Sequence, residues 1–430
     1  MKLGMKLGRD LLATSAVLAA MGTNVQADSF REALTGGKVS GEIRNVYVEG
    51  SASDARGEAG ALNNSHTLGS ALNLNYATGS FHGFKAVVGL QSGWDWNIHD
   101  EDKGLTVAGG EDDSRVSIDS TDLRLAYLEY AFDKELTATS LRIGRQKIVS
   151  PLLMNSGEFA MQDSFDALVV ENRDLPDTVL KAIYVDRWNM RYGDDSNGAV
   201  TEEDKDYDDA IYSFYLNNSS LAGLNIEAQW LSNENDTPAG DPPAAVVTAD
   251  PYDTGFLGLT YKVPNSSWVL GAKVLTADYE NLPDTGYWGV NAKTTVGGVE
   301  LQLGYTSVDD EANFPGSLGH VPMFRSYKSG FIDEIFAGLD TTSLSVGYGF
   351  GVPGLKTKLI YSGWKQSEEG RINSRKDLDG GYEAGFDVEY QFQGVEGLSG
   401  RFRTSYMDFD RDAVDNDDLL YTRIHLNYKF

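Results

Sequence analysis

The chain contains no cysteine in its 430 residues, which excludes a disulfide framework and a thiolate metal site. Histidine is nearly as scarce: His66, His82, His99, His320 and His425 are the whole set. None of them stands in a serine–histidine hydrolase pattern, so the sequence gives no sign of an enzyme. Basic residues are outnumbered, 36 against 64 acidic ones, for a net charge of −28. A nucleic acid needs a basic footprint, and this chain repels one. Beyond the N-terminus no stretch approaches the ~18 consecutive apolar residues of a membrane-spanning helix. Proline is sparse, 11 residues against 47 glycines, while aromatics reach 11% and recur along the chain. That composition argues against intrinsic disorder.

What is present begins with a processing signal. Lys2, Lys6 and Arg9 precede an apolar run from Leu11 to Met21, and Val25-Gln26-Ala27 supplies small residues at the cleavage positions. The pattern is that of a secretory signal peptide. Residues 1–27 are therefore expected to be removed, leaving 28–430 as one domain. An exported chain of this kind is either soluble in the periplasm or a β-barrel in an outer membrane.

Strict alternation, the mark of a strand, recurs from end to end. Ala384, Phe386, Val388, Tyr390 and Phe392 share one face, with Glu383, Asp387, Glu389 and Gln391 on the other. Leu68–Tyr76, Leu224–Trp230, Trp288–Thr294, Leu344–Phe350, Leu355–Tyr361 and Leu420–Phe430 repeat the scheme. A soluble sandwich would alternate too, so the connections decide. Tight turns at Thr78–Ser80, Asp133–Leu136, Arg173–Asp177, Asn217–Ser220, Val263–Ser266, Gly297-Gly298, Gly351–Gly354 and Gly394–Gly397 alternate with long stretches. The latter lie near 50–65, 95–120, 147–163, 188–206, 232–250, 278–286, 308–340, 366–380 and 409–417. Eight short and nine long connections join eighteen strands, with sixteen as the alternative count. This is the asymmetry of an all-β transmembrane antiparallel barrel, short turns in the periplasm and long loops outside. Aromatics at strand ends (Tyr76, Tyr130, Phe132, Trp230, Trp268, Trp288, Trp364 and Tyr428) are expected to form its interfacial girdles.

The face opposite the apolar one would line the lumen. Arg401 and Arg403, Arg423 and Arg44 fall on that face, and closure of the last strand on the first would gather them into one patch. Lys356, Lys358, Arg124 and Arg142 would extend it. Guanidinium groups grip carboxylates bidentately, so such a wall would guide anionic groups. The alternative is that Glu42, Glu383, Asp387 and Glu389 neutralise these cations and merely stiffen the wall.

Three segments carry a family resemblance. The run Leu141-Arg-Ile-Gly-Arg-Gln-Lys-Ile-Val-Ser-Pro-Leu-Leu-Met-Asn155, leading to Gln162-Asp-Ser-Phe-Asp-Ala-Leu168, resembles OprD-type porins, including the OprD-like porins of epsilonproteobacteria. Asp28–Arg44, and Ser65–Tyr76 followed by Gly83–Gly89, resemble the same group. The resemblance implies an 18-stranded barrel, a loop after the fifth strand folded into the pore, and a ladder of basic wall residues. By position it adds Arg145 to the ladder and makes Met154, Asn155, Ser156, Glu158 and Met161 constriction-loop residues. That loop holds one carboxylate, Glu158, fewer than an acidic eyelet would need.

Acidic clusters at 100–102, 111–113, 202–204, 206–209 and 415–418 read as solvated external loops. The one calcium-like run, Asp194-Asp-Ser-Asn-Gly198, has its glycine at the wrong offset for an EF-hand. The sequence thus points to an outer-membrane porin for passive diffusion of small hydrophilic solutes, carboxylate-bearing ones included. Its expected partners are outer-membrane lipid and lipopolysaccharide, with no metal, cofactor or nucleic acid, and a homotrimer or a monomer as its assembly. The alternative is a surface interaction barrel with a closed lumen.

Overall fold

The computed structural model describes residues 28–52, 65–99, 119–157, 159–189, 205–235, 251–315, 318, 322–324, 335–375, 377–409 and 418–430. The expected signal peptide at 1–27, Glu158, and the acidic clusters at 100–102, 111–113 and 202–204 lie outside them, as do 415–417 of the last cluster. Eighteen strands follow one another: β1 (Lys38–Ala52), β2 (Ser65–Ala77), β3 (Phe84–His99), β4 (Thr121–Ala131), β5 (Thr139–Gln146) and β6 (Ser164–Asn172). Next come β7 (Thr178–Asn189), β8 (Lys205–Asn218), β9 (Leu224–Asn233), β10 (Tyr252–Lys262), β11 (Val269–Tyr279) and β12 (Thr285–Val296). The last six are β13 (Val299–Val308), β14 (Leu339–Tyr348), β15 (Leu355–Gln366), β16 (Tyr382–Gln391), β17 (Leu398–Asp408) and β18 (Leu419–Lys429). Among the described residues two short helices accompany them, α1 (Phe30–Thr35) and α2 (Glu368–Ser374).

Each strand pairs antiparallel with its neighbour in sequence, and β1 pairs with β18 as well as β2, so the sheet closes. At the seam Arg44 stands opposite Asn427 and Val46 opposite His425, while Gly41 and Phe430 exchange backbone hydrogen bonds of 2.9 and 3.0 Å. Closure leaves no edge strand with unpaired backbone groups, the condition for sitting in lipid. The tight turns have the chemistry their geometry needs. Gly297 and Gly298 both take positive φ, 59° and 86°, the left-handed pair of a two-residue hairpin whose twist matches its strands.

Alternation sets the two faces as read. On β18, Leu420, Ile424, Leu426 and Tyr428 are exposed on the outside, and Tyr421, Arg423 and His425 are buried within. Trp230, Trp268, Trp288 and Tyr428 lie on the outer surface. Trp364 does not: it faces inward, buried and stacked on Phe409 with ring centroids 6.3 Å apart. It shares parity with Lys356 and Lys358, so a strand of period two cannot turn it toward lipid when they face the lumen. The connection expected at 278–286 is also shorter than read, because β11 runs to Tyr279 and β12 resumes at Thr285. Asp206 to Asp209 likewise belong to β8.

The inner surface divides along the barrel axis. Toward the long connections the inward positions are apolar: Phe165, Val185, Ile211, Leu231, Phe256, Leu275, Tyr287, Val308, Leu339, Trp364, Met407 and Tyr421 are all buried. Toward the short turns they are charged. Ile148, Leu152, Leu153 and Met161, from the β5–β6 connection, pack into the apolar half, as do Phe314, Leu318 and Met323 from the β13–β14 connection.

Candidate functional site

The β5–β6 connection crosses the lumen, held at several points by wall side chains. At one foot, Gln91 of β3 makes a reciprocal pair with the backbone of Gln162: its Nε2 donates to the carbonyl and its Oε1 accepts from the N–H, both at 3.0 Å. Lys181 of β7 donates to the carbonyl of Val149 at 3.2 Å, and the indole N–H of Trp188 donates to Asp163 at 3.0 Å. On β9, Gln229 accepts from the Leu152 N–H at 2.8 Å and donates to Ser150 Oγ at 3.0 Å. From β1, Arg44 donates to the carbonyls of Gly157 and Phe159. Strands 1 and 9 lie on opposite sides of an 18-stranded ring, so the segment spans its cross-section. It meets the second inward connection at its middle, where the N–H of Met154 donates to the carbonyl of Leu318 at 3.1 Å and Leu153 forms an isolated parallel bridge with Leu318.

The residues read as constriction elements occupy this crossing. Met154 forms an isolated bridge with Val149, Asn155 donates its N–H to the carbonyl of Ile148 at 3.1 Å, and Met161 is buried in the apolar cluster. Ser156 lies on the same segment, and Glu158 is outside the described residues. The β13–β14 connection was not legible as a second inward element. It is docked by Lys273 of β11, which donates to the carbonyl of Pro322 and stands 4.6 Å from the ring centre of Phe324. Phe324 needs Gly271 and Gly289 beneath it, since a Cβ on either would lie 3.1 or 3.0 Å from its ring. Gln91, Gln229, Lys181 and Lys273 were missed because a polar residue at an inward position carries no mark of what it will hold.

The basic residues separate into three groups. The first shares a wall with carboxylates in alternating sign. In register, Lys356 faces Glu389, Glu389 faces Arg401 and Arg401 faces His425; one row over, Lys358 faces Asp387, Asp387 faces Arg403 and Arg403 faces Arg423. Arg401 reaches diagonally to grip Asp387 with two hydrogen bonds, one of them 2.9 Å, and lies 3.4 Å from Glu389. Lys358 is 3.8 Å from Glu300, which also pairs with Lys293 at 2.8 Å. Lys356, Lys358 and Arg401 keep a third or more of their surface open, Arg401 36% and Lys358 39%, whereas Asp387 and Arg403 are buried. On the facing wall Arg142 lies 6.0 Å from the Tyr127 ring, beside the Glu171–Lys181 pair at 3.6 Å.

The second group is buried under the crossing segment. Arg423, 1% exposed, lies 4.7 Å over the Phe159 ring and donates to the Tyr421 hydroxyl at 2.8 Å. Arg44 holds the segment's carbonyls and stands 3.6 Å from Glu42. Arg124 donates to Asn73 and, at 3.2 Å, to Gln91. The third group is Arg145 alone, which departs from the ladder. Ile143 is exposed on the outer face, and Arg145 follows it at the same parity, paired with Asp166 at 2.9 Å. Arg142 and Arg145, three residues apart on one strand, cannot both face the lumen.

A closed, loop-crossed, 18-stranded barrel with an apolar outer belt and a charged inner wall is an outer-membrane porin fold. Residues 2–223 match the family model described as Campylobacter major outer membrane protein, and the chain belongs to that family. Among solved structures it is similar in fold to Pseudomonas aeruginosa OccK9 (OpdG), at 17% identity and a TM-score of 0.70, covering 93% of this chain and 99% of that one. Acinetobacter baumannii OccAB4 matches at 14% identity and a TM-score of 0.69, covering 95% and 100%. Acinetobacter baumannii OccAB2 matches at 17% and 0.68, covering 93% and 99%. No curated protein sequence matches the chain. The protein is placed in the outer membrane by its family and its barrel.

Proposed function

We propose that the protein is a water-filled channel for passive diffusion of small hydrophilic solutes, among them carboxylate-bearing ones such as amino acids or organic acids. The observation that carries this reading is the wall of β15 to β17. Lys356, Lys358 and Arg401 keep open surface in the charged half of the lumen, interleaved with Glu389 and Asp387. A solute carboxylate can exchange with a wall carboxylate for the same guanidinium, which holds it in transit without trapping it. The crossing segment narrows the passage that leads to this wall.

Planar-bilayer recording tests the reading. The folded protein should conduct ions, and flux of a small carboxylic acid should exceed that of an uncharged solute of equal size. Absence of any ion current would defeat the channel and leave the surface barrel with a closed lumen.

A further inference from the structure

Helix α1 has one side that the barrel uses and one that it leaves open. Six residues are too few to stay helical alone, so its contacts hold it. A capping box starts it: Ser29 Oγ accepts from the Glu32 N–H at 3.2 Å, and the Glu32 carboxylate accepts from the Ser29 N–H at 3.1 Å. The Ala33 carbonyl then accepts from the N–H of Gly79, in the β2–β3 turn, at 2.9 Å, and the Leu34 carbonyl accepts from the Tyr76 hydroxyl. Gly37 leaves room for the Tyr76 ring, which a Cβ there would strike. Docked this way, the helix buries Ala33. Residues four apart share a side, so Phe30 and Leu34 lie together, flanked by Ala33, with Arg31, Glu32 and Thr35 on the remaining arc. Phe30 is 63% exposed and Leu34 44%.

That open apolar side continues the outer belt of the barrel. Tyr76 stands in an outward row between Val39 of β1 and Val88 of β3, both exposed. Phe84, Tyr130 and Phe132 prolong the row, with successive ring centroids 4.6 and 4.9 Å apart. Phe30 joins it through Phe81, edge-on at 6.1 Å. All of these lie at the short-turn end, where the belt passes into the periplasmic leaflet. An apolar side against a belt, with charged and hydroxyl groups on the other arc, is the build of a helix lying in a membrane interface. Phenylalanine and leucine gain there by leaving water.

We propose that α1 is a membrane foot: Phe30 and Leu34 insert among the phospholipids of the periplasmic leaflet, while Arg31, Glu32 and Thr35 face periplasmic water. The foot runs directly into β1 and is tied to the β2–β3 turn. It therefore holds the N-terminal segment outward, clear of the pore's periplasmic mouth, and fixes the depth at which the seam side of the barrel sits.

The test uses the full, folded barrel reconstituted in vesicles of phosphatidylethanolamine and phosphatidylglycerol. The chain has no cysteine, so Phe30→Cys, Leu34→Cys, Thr35→Cys and Val88→Cys each supply a single thiol for an environment-sensitive fluorophore. Val88 is the lipid reference and Thr35 the water reference. Each anchor is labelled with the other intact, so neither measurement removes both. Labels at Phe30 and Leu34 should emit to the blue of the Thr35 label and be quenched by doxyl-labelled phospholipid nearly as strongly as the Val88 label. Iodide on both sides of the membrane should quench them several-fold less than the Thr35 label. Iodide quenching equal to that at Thr35 would leave the helix in water and overturn the proposal. Shielding from both quenchers would overturn it too, by showing that protein, such as a second copy of this chain, covers the pair.

Discussion

Arg401 and Arg423 sit on neighbouring strands, both face inward, and do opposite things. Arg401 keeps a third of its surface open and trades between Asp387 and Glu389. Arg423 is sealed under Phe159 and Tyr421. Parity along a strand, readable in the sequence, told which way each points. It could not tell which would be roofed by a distant segment, because that depends on where residues 147–163 fold. Arg145 shows the converse, since its parity with Ile143 already argued against the lumen while the family resemblance argued for it. The wall should respond accordingly. Replacing Arg401 and Arg403 together by Gln frees Asp387 and Glu389 and should strengthen cation selectivity and slow carboxylate flux. Unchanged reversal potentials and flux would make these arginines purely structural. Arg145→Ala should leave selectivity at the wild-type value and lower thermal stability through loss of the half-buried pair with Asp166.

Among the elements, the strands were legible and the inward connections only partly so. Hairpin alternation located every strand because period-two burial is imposed by two solvents, lipid outside and water or packed side chains inside. A loop has no period, and nothing in 309–338 announces that Leu318 will meet Leu153. The anchors give the crossing segment a testable strength. Arg44→Met removes two charge-assisted hydrogen bonds, each worth about 1.5–3 kcal/mol, and should raise conductance as the segment loosens. Gln229→Leu should do the same from the opposite wall, because it strands the buried Leu152 N–H. At the other end of the barrel the β6–β7 turn is held by Asp174, which accepts from the Thr137 hydroxyl, the Ala138 N–H and the Asn172 amide. These bonds, the Thr137 hydroxyl foremost, hold its carboxyl below the ordinary aspartate value. The turn's extra stability is therefore present above about pH 4, where an unfolded aspartate is charged, and is lost as pH falls through the lower folded value. The Ala138 amide resonance should titrate with a midpoint below about 3.9, the free-aspartate value; a midpoint at or above it would refute the assignment.

At the scale of the whole molecule the sheet closes on itself through the β1–β18 pairing. Asn45 and Leu426 are in register across the β1–β18 seam, and the chain has no cysteine of its own. A double substitution, Asn45→Cys with Leu426→Cys, should form an intramolecular disulfide under oxidation, and an open sheet would not. Orientation is checked by inserted tags. One placed between Pro242 and Pro243 should bind antibody on intact cells, and one at 351–354 only after permeabilisation. The segment fastened to β1 at one side and β9 at the other also has a mechanical meaning. A hydrogen-bonded cylinder resists stretching along its strands but ovalises easily, and every ovalisation changes the area of the hole. A chord tied across the diameter stops that mode as a spoke stiffens a rim. The current through a single open channel should accordingly be quiet and of one size, and cutting the chord at either anchorage should make it flicker before it makes it large.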